Sequence, residues 1–239
     1  MSANSSSNQP GKTEKDPHFK GQSRVLKQCH WCSKKEEPGI KSFQACGQCK
    51  EVIYCSKECQ RASWPFHKTA CQINAKAKKS GPLSESGTAK QVAAFKKWHS
   101  LHLDSLKHAI VCALNLGKDP NNLSNGIVLV QVEPKPNQKD LPPKRQFTIV
   151  GGHTFTMEEA YIMLAAQGGK PILDSCKRES EHMRKKGGIG LSPVLMMMGD
   201  VCDIVKVILP KPADATRMQK ENDWGQQWAL HLAYAVEQD

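Results

Sequence analysis

The chain has 239 residues, of which 38% are hydrophobic and 24% are charged, enough for one ordinary domain and a small module. This composition excludes fibrous and wholly disordered proteins, and no apolar run reaches the roughly 20 residues of a membrane helix. Because the N-terminus also lacks the apolar core of a signal peptide, we expect an intracellular protein, nuclear or cytoplasmic, that does not bind membranes. The formal net charge is +11, and residues 1–80 hold 15 Lys and Arg against 6 Asp and Glu.

Two polar stretches divide the chain. Residues 1–24 are rich in Ser, Asn, Gln and Lys and cannot bury an apolar face, so we expect a disordered tail there. Residues 74–88 contain Ser80, Gly81 and Pro82, which interrupt regular structure, so we expect a linker. These boundaries predict a small module at residues 25–73 and a second domain at residues 89–239.

The second domain is predicted to be α+β, with an antiparallel sheet and flanking helices. Apolar residues recur at helical spacing over residues 89–116, which predicts one long helix. Thr156 and Glu159 form a capping-box pattern in front of Ala160–Ala166, which predicts a short helix that starts at Thr156 and ends by Gly168–Gly169. Gly199–Asp200 suits a type II′ turn between two apolar runs, which predicts an antiparallel hairpin. The other expected elements are strands at 126–132, 146–150 (closed by Gly151–Gly152), 194–198 and 201–209, and helices at 174–186 and from Trp224 onward.

The cysteines are concentrated in the small module. Seven of the 10 lie between residues 29 and 71, in two C-x2-C pairs, one C-x3-C pair and one H-x3-C pair. Inside a reducing cell such a cluster favours a metal framework over disulfides. Eight ligands fill two tetrahedral sites with no open position, so we predict two structural Zn²⁺ ions per chain. The predicted ligands are Cys29, Cys32, Cys46, Cys49, Cys55, Cys59, His67 and Cys71.

With Tyr54 before the C-x3-C pair and Trp64 before the H-x3-C pair, residues 29–71 resemble the MYND-type zinc finger. The remainder of the chain is not matched to a known family. The resemblance implies a protein-interaction module, and some members bind short proline-rich peptides as an added extended strand. Gln60 and Trp64 match positions that help form that groove. The resemblance also implies that the ligand pairs interleave, with Cys29, Cys32, Cys55 and Cys59 on one ion and Cys46, Cys49, His67 and Cys71 on the other.

We therefore expect a non-catalytic adaptor that docks a partner protein or a proline-rich peptide, and family analogy implies a role in transcriptional regulation. Specific nucleic-acid binding is not expected, because no groove-filling element with base-reading side chains is evident. A SET-type methyltransferase is not expected either, because the chain contains no Asn-His pair. The alternative is an enzyme or small-molecule-binding protein with an unrecognised site in residues 89–239. A deep pocket in that domain, lined by ionisable groups with perturbed pKa values, would favour that alternative, whereas an exposed groove beside Gln60 and Trp64 would favour the adaptor.

Overall fold

The computed structural model describes residues 21–80, 86–166 and 168–239. The cysteine-rich module contains helices α1 (Gln22–Val25) and α2 (Lys57–Ser80) and a small antiparallel sheet of β1 (Gln44–Ala45) and β2 (Ile53–Tyr54). Residues 1–20 of the expected tail lie outside the described residues. The expectation of a tail is wrong at its end, where α1 is folded because Ser23 is buried and its Oγ accepts the Ile53 N–H at 3.1 Å.

Helix α2 runs for 24 residues and continues through the first half of the expected linker. Residues 74–80 are helical because Ala and Lys, which dominate there, are strong helix formers. Residues 81–85 lie outside the described residues, and residues 86–88 already belong to the next helix. No helix in the described part of the chain is long and apolar enough to cross a membrane.

The second domain is α+β, as predicted. Four helices and two hairpin-forming strand pairs alternate along the chain before two C-terminal helices. The elements of the domain are α3 (Ser86–Leu101), α4 (Leu103–Ala113), β3 (Gly126–Pro134), β4 (Phe147–Thr156), α5 (Met157–Ala165), α6 (Lys170–Arg184), β5 (Leu191–Met198), β6 (Val201–Ile208), α7 (Pro212–Glu221) and α8 (Trp228–Gln238). The first of the C-terminal helices, α7, was not predicted, because its apolar residues are only two alanines and Met218.

The four strands form one sheet in the order β4-β3-β5-β6, covered by helices on both faces. Alternate residues of β3 point to opposite faces, which explains why this strand reads as an unbroken apolar run. Val128 and Val130 join a core cluster with residues of α3, α4 and α8. Ile127 and Leu129 join a second cluster with α5 and α6. The sheet is therefore the middle layer of three.

Two of the three strand pairings are antiparallel, and the central β3–β5 pair is parallel. The parallel pair arises because α5 and α6 carry the chain back across the sheet between β4 and β5. The predicted hairpin is confirmed, since β5 and β6 pair antiparallel with Met198 opposite Val201 and Gly199 at φ +54°. The capping box is also present: Thr156 Oγ1 accepts the Glu159 N–H at 3.2 Å, and the Glu159 carboxylate accepts the Thr156 N–H at 2.7 Å.

The predicted long helix over 89–116 is two helices, because the chain bends at His102. His102 is buried, and its Nε2 lies 3.0 Å from the Lys144 carbonyl oxygen. Its Nδ1 lies 3.1 Å from Asp239 Oδ2. The bend places both ring nitrogens on tertiary partners that a sequence pattern within one helix cannot reveal.

Strand β4 continues through Gly151–Gly152, where an end was predicted. The register with β3 shifts between Gln131 and Val132, which leaves Val150 of β4 as a bulge beside these glycines. A Cβ at Gly152 would lie only 2.5 Å from the indole of Trp228. Gly152 therefore allows α8 to pack closely against β4, and it does not end the strand.

Candidate metal centre

The two C-x2-C pairs form matching turns. In the first, the Ser33 N–H donates to the Cys29 carbonyl at 3.0 Å, and in the second the Lys50 N–H donates to the Cys46 carbonyl at 3.1 Å. Ser33 and Lys50 both have left-handed backbones, with φ of 58° and 60°. This shared geometry turns each chain segment sharply after its second cysteine, so that both thiols of a pair face the same point.

Helix α2 carries three of the other four ligands on one face, and Cys55 lies just before it. Ser56 Oγ accepts the Cys59 N–H at 3.2 Å and caps the first turn. Cys59, His67 and Cys71 are spaced by multiples of four, so they share one side of the helix. Ser63 lies between them and is 3.2 Å from the Tyr54 hydroxyl, which joins β2 to α2. The tyrosine of the motif therefore fixes the strand against the ligand-bearing helix.

The structure brings the eight predicted ligands together in two groups, in each of which the ligand atoms lie within 4.8 Å of one another. Each group combines the two cysteines of one C-x2-C turn with a second ligand pair farther along the chain. The first site skips the second C-x2-C turn and takes the C-x3-C pair, so the two sites interleave. One group is Cys29, Cys32, Cys55 and Cys59, and the other is Cys46, Cys49, His67 and Cys71.

The distances within the groups fit zinc tetrahedra. Bonds of about 2.3 Å to sulfur and about 2.05 Å to nitrogen give tetrahedral edges of about 3.8 Å between two sulfurs and about 3.6 Å between sulfur and nitrogen. The first group shows 3.6 Å for Cys32–Cys55 and 3.5 Å for Cys55–Cys59 between Sγ atoms. In the second, Cys49 Sγ lies 3.5 Å from His67 Nε2. All are far above the roughly 2.05 Å of a disulfide bond, so the module carries two structural zinc sites.

The second group is the more buried of the two. All four of its side chains are buried, whereas Cys32 of the first group is exposed. Burial lowers the pKa of His67 to about 4, so its ring is neutral at pH 7. Neutral imidazole is the form that ligates zinc. The four donor atoms of this group and the neutral form of its histidine therefore both suit a zinc ion.

The two residues predicted to form a peptide groove lie one turn apart on α2. Gln60 is half-buried, and Trp64 keeps 38% of its surface exposed. The Trp64 ring meets the His67 ring edge-on, with centroids 6.2 Å apart. Trp64 thus covers one side of the buried zinc site and also presents an aromatic surface to solvent.

Comparison with known proteins assigns this module. The MYND finger family model matches residues 29–71. Residues 29–71 are a MYND finger. SET domain and MYND-type zinc finger protein 6 of Schizosaccharomyces pombe is 46% identical over 52 residues, or 22% of this chain and 11% of that protein. No solved structure matches the chain.

Two further relatives show how far the similarity extends. Dauer abnormal formation protein 25 of Caenorhabditis elegans is 38% identical over 63 residues, or 26% of this chain and 16% of that protein. Human N-lysine methyltransferase SMYD2 is 40% identical over 43 residues, or 18% of this chain and 9% of that protein. The chain thus spans at most about a sixth of the length of these three relatives, and the matches are the size of the MYND finger.

Aromatic packing joins the MYND finger to the α+β domain. Trp31 and Phe66 stack with centroids 5.8 Å apart, and both rings lie within 6 Å of the His182 ring on α6. The Ser175 hydroxyl donates to the Phe66 carbonyl at 2.7 Å. The sequence motif did not identify these contacts, because Trp31 and Phe66 stand beside zinc ligands whose spacing explains the motif without them.

A polar cluster faces the MYND finger across a cleft of about 360 Å³ beside edge strand β6. Asp203 Oδ2 lies 3.0 Å from Nε2 of the buried His99, and Oδ1 lies 3.3 Å from Lys96 Nζ. Charged side chains along a strand edge oppose pairing with another chain. Because Asp203 and His99 are 104 positions apart, no local pattern signals their contact.

We expect Asp203→Asn to destabilise the α+β domain by about 1–3 kcal/mol at pH 7, because it leaves Lys96 and His99 without their carboxylate. Burial would raise the pKa of Asp203, but Lys96 and the His99 ring N–H lower it more, so it lies well below its ordinary value. The stabilisation is therefore present above an unfolded pKa of about 3.9 and is lost as pH falls below it.

Urea unfolding at pH 7 and at about pH 3 measures this effect. The variant should lose less stability than wild type between the two values. Asp200→Asn, at the exposed hairpin turn, is the matched control and should behave as wild type. Equal acid sensitivity of wild type and Asp203→Asn would contradict the assignment.

Proposed function

We propose that this protein is an adaptor whose MYND finger docks a proline-rich segment of a partner protein, in transcriptional regulation. The observation that carries the proposal is the exposed indole of Trp64, one helical turn from Gln60. A flat aromatic surface with a nearby amide suits a proline-rich peptide, which is already extended and loses little entropy on binding.

The small sheet of the MYND finger supplies an edge for such a peptide. On one side of β2, the Ile53 carbonyl accepts the His30 N–H at 2.8 Å, so that edge is in use. On the other side, β2 pairs with β1, whose residues Gln44 and Ala45 are both exposed. Among the described residues, β1 pairs with no other strand. A peptide could therefore add to β1 as a third strand.

The zinc sites support docking and not chemistry at the metal. Each group offers four protein ligands, which fills a tetrahedral ion and leaves no position for substrate or water. Function then depends on the surface that the ions hold in shape. The methyltransferase named among the relatives shares only a segment of 43 residues with this chain.

The test measures binding of the full zinc-loaded chain to an array of proline-rich peptides, followed by titration of the best binder. We expect Trp64→Ala to weaken that peptide by about tenfold or more, as for an aromatic contact at the centre of an interface. Gln60→Ala should weaken it less. Tyr234→Ala removes an aromatic side chain that is 67% exposed on α8 and is the matched control.

Zinc content should stay at two ions per chain in all three variants, which separates lost docking from lost folding. If Trp64→Ala keeps both ions and binds the peptide as wild type does, the proposed surface is wrong. If no peptide in the array binds, proline-rich segments are not the ligand.

A further inference from the structure

The α+β domain contains a small pocket that no zinc ligand lines. It has a volume of about 180 Å³ and lies between α5, α6 and β5, with residues before β3 closing one side. All residues that line it belong to the described part of the chain. The volume is below the 300–1,000 Å³ of sites for drug-sized molecules, so any ligand must be small.

The floor of the pocket is apolar. Leu173 and Leu191 are buried to 0% and 2% exposure, and Leu123 is buried beside them. Cys176 also lines the floor, and burial raises the pKa of its thiol to about 11, so it is uncharged at neutral pH. An uncharged floor of this kind accepts an aliphatic group.

The rim of the pocket is cationic. Arg184 Nη1 donates to Ser124 Oγ at 2.7 Å, and its Nη2 donates to Asn121 Oδ1 at 2.8 Å. These partners fix the guanidinium but are neutral, so they leave its charge uncompensated. Lys177 and Glu181 also line the pocket at exposed positions, and none of the three forms an ion pair within 4.0 Å among the described residues. Among the residues that line the pocket, two positive charges therefore stand against one negative charge.

A buried hydroxyl lies between the floor and the rim. Ser180 Oγ accepts the Leu191 N–H at 3.0 Å, and its own proton has no acceptor among the described residues. Its residue is only 9% exposed. A hydroxyl hydrogen in this position can be donated to a ligand oxygen, and a charged oxygen accepts the stronger hydrogen bond.

We propose that this pocket binds a small aliphatic carboxylate, with the hydrocarbon chain on the leucine floor and the carboxylate between Arg184, Lys177 and the Ser180 hydroxyl. The cationic rim disfavours uncharged ligands, and the apolar floor disfavours ligands without a hydrocarbon chain. A neutral alcohol leaves the excess charge at the rim uncompensated, and a carboxylate without a chain leaves the floor unfilled. The site lies in the domain to which the MYND finger is attached, and the proposal does not depend on peptide docking.

The test uses hexanoate as the probe on the full zinc-loaded chain, with 1-hexanol and acetate as matched ligands that lack the charge or the chain. Amide NMR shifts report the location, and titration gives the affinity. We expect hexanoate to bind with a Kd of about 1 mM or tighter and to shift the amides of Leu173, Ser180 and Leu191. Hexanol and acetate should each bind about tenfold more weakly.

Two variants and one control complete the test. Arg184→Gln should weaken hexanoate by about tenfold, since it removes a charged hydrogen-bond donor. Lys177→Gln, at an exposed position, should weaken hexanoate binding about threefold. This variant provides the test if Arg184→Gln does not fold. Arg217→Gln removes the same charge as Arg184→Gln from an exposed site on α7 and should change nothing.

The proposal is overturned if hexanoate shifts no amide around the pocket, or if hexanol binds as well as hexanoate. It is also overturned if folded Arg184→Gln, or Lys177→Gln in its place, binds hexanoate with wild-type affinity. Loss of peptide docking in the Trp64→Ala variant has no bearing on any of these results.

Discussion

Cys49→Ser is expected to release the zinc ion of the buried site and unfold the MYND finger while the α+β domain stays folded. Cys49 is fully buried and lies 3.5 Å from His67 Nε2. A serine hydroxyl is a much poorer zinc ligand than a thiolate, and a structural zinc contributes on the order of 10 kcal/mol to the folding of a small module. The MYND finger cannot replace that contribution, because its buried cluster is small.

We propose that residues 25–73 and 89–239 are separate folding units, which is why only the MYND finger should unfold. The buried clusters of the α+β domain contain no residue of the MYND finger. The aromatic contact of Phe66 with His182 and the bond from Ser175 join the two units, but they lie outside those clusters. Their loss should lower the stability of the α+β domain only modestly.

Elemental analysis and circular dichroism check this prediction. Wild type should contain two zinc ions per chain, and Cys49→Ser should contain fewer while it keeps the unfolding transition of the α+β domain. Cys202→Ser, on β6 and outside both ligand groups, should keep two ions. A wild-type ratio of zero or one would contradict the ligand assignment. One cooperative loss of both units in Cys49→Ser would contradict their independence.

The zinc ligands could be predicted from the sequence because their spacing is local. A C-x2-C turn places two thiols three positions apart, and one helix face places ligands four positions apart. Each ligand pair is therefore visible within a few residues of sequence. Which pairs share an ion depends on how separate segments pack. Cys32 and Cys55 are 23 positions apart, and only the structure places their sulfur atoms 3.6 Å from each other. Family resemblance implied that pairing, and spacing could not.

Predictions for the α+β domain were accurate where residues close in sequence determine the local structure. The hairpin at Gly199 and the capping box at Thr156 are set by neighbouring residues, and both are present. The helix bend at His102 and the passage of β4 through Gly152 are set by contacts with Asp239 and Trp228, which are distant in sequence. Helical periodicity and glycine content carry no information about such partners.

The first half of the expected linker is helical for a different, local reason. Small polar residues over 74–88 suggested an interruption, but the turns of α2 that hold His67 and Cys71 had already nucleated a helix. Extending an existing helix requires only one residue to be fixed for each new hydrogen bond, so Ala75 and the residues after it continue it at little cost. Zinc ligation thus influences local structure beyond the last ligand.

Phe147→Ala is expected to destabilise the α+β domain by about 3–5 kcal/mol, the usual cost of removing a buried phenylalanine ring. Phe147 begins β4 and is fully buried. Its ring lies 5.8 Å from that of Phe95 and 5.7 Å from that of Trp98, between centroids. These three rings anchor the sheet to α3, so the cavity left by alanine cannot collapse without moving the helix.

Urea unfolding measures this loss, and the midpoint should fall with little change in slope. Val150→Ala, on the same strand with 53% exposure, is the control and should cost less than about 1 kcal/mol. If the two units fold independently, Phe147→Ala should keep two zinc ions even in urea that unfolds its α+β domain. Zinc release at the same urea concentration as sheet unfolding would mean that the MYND finger depends on the domain behind it, and the adaptor would then act as a single body.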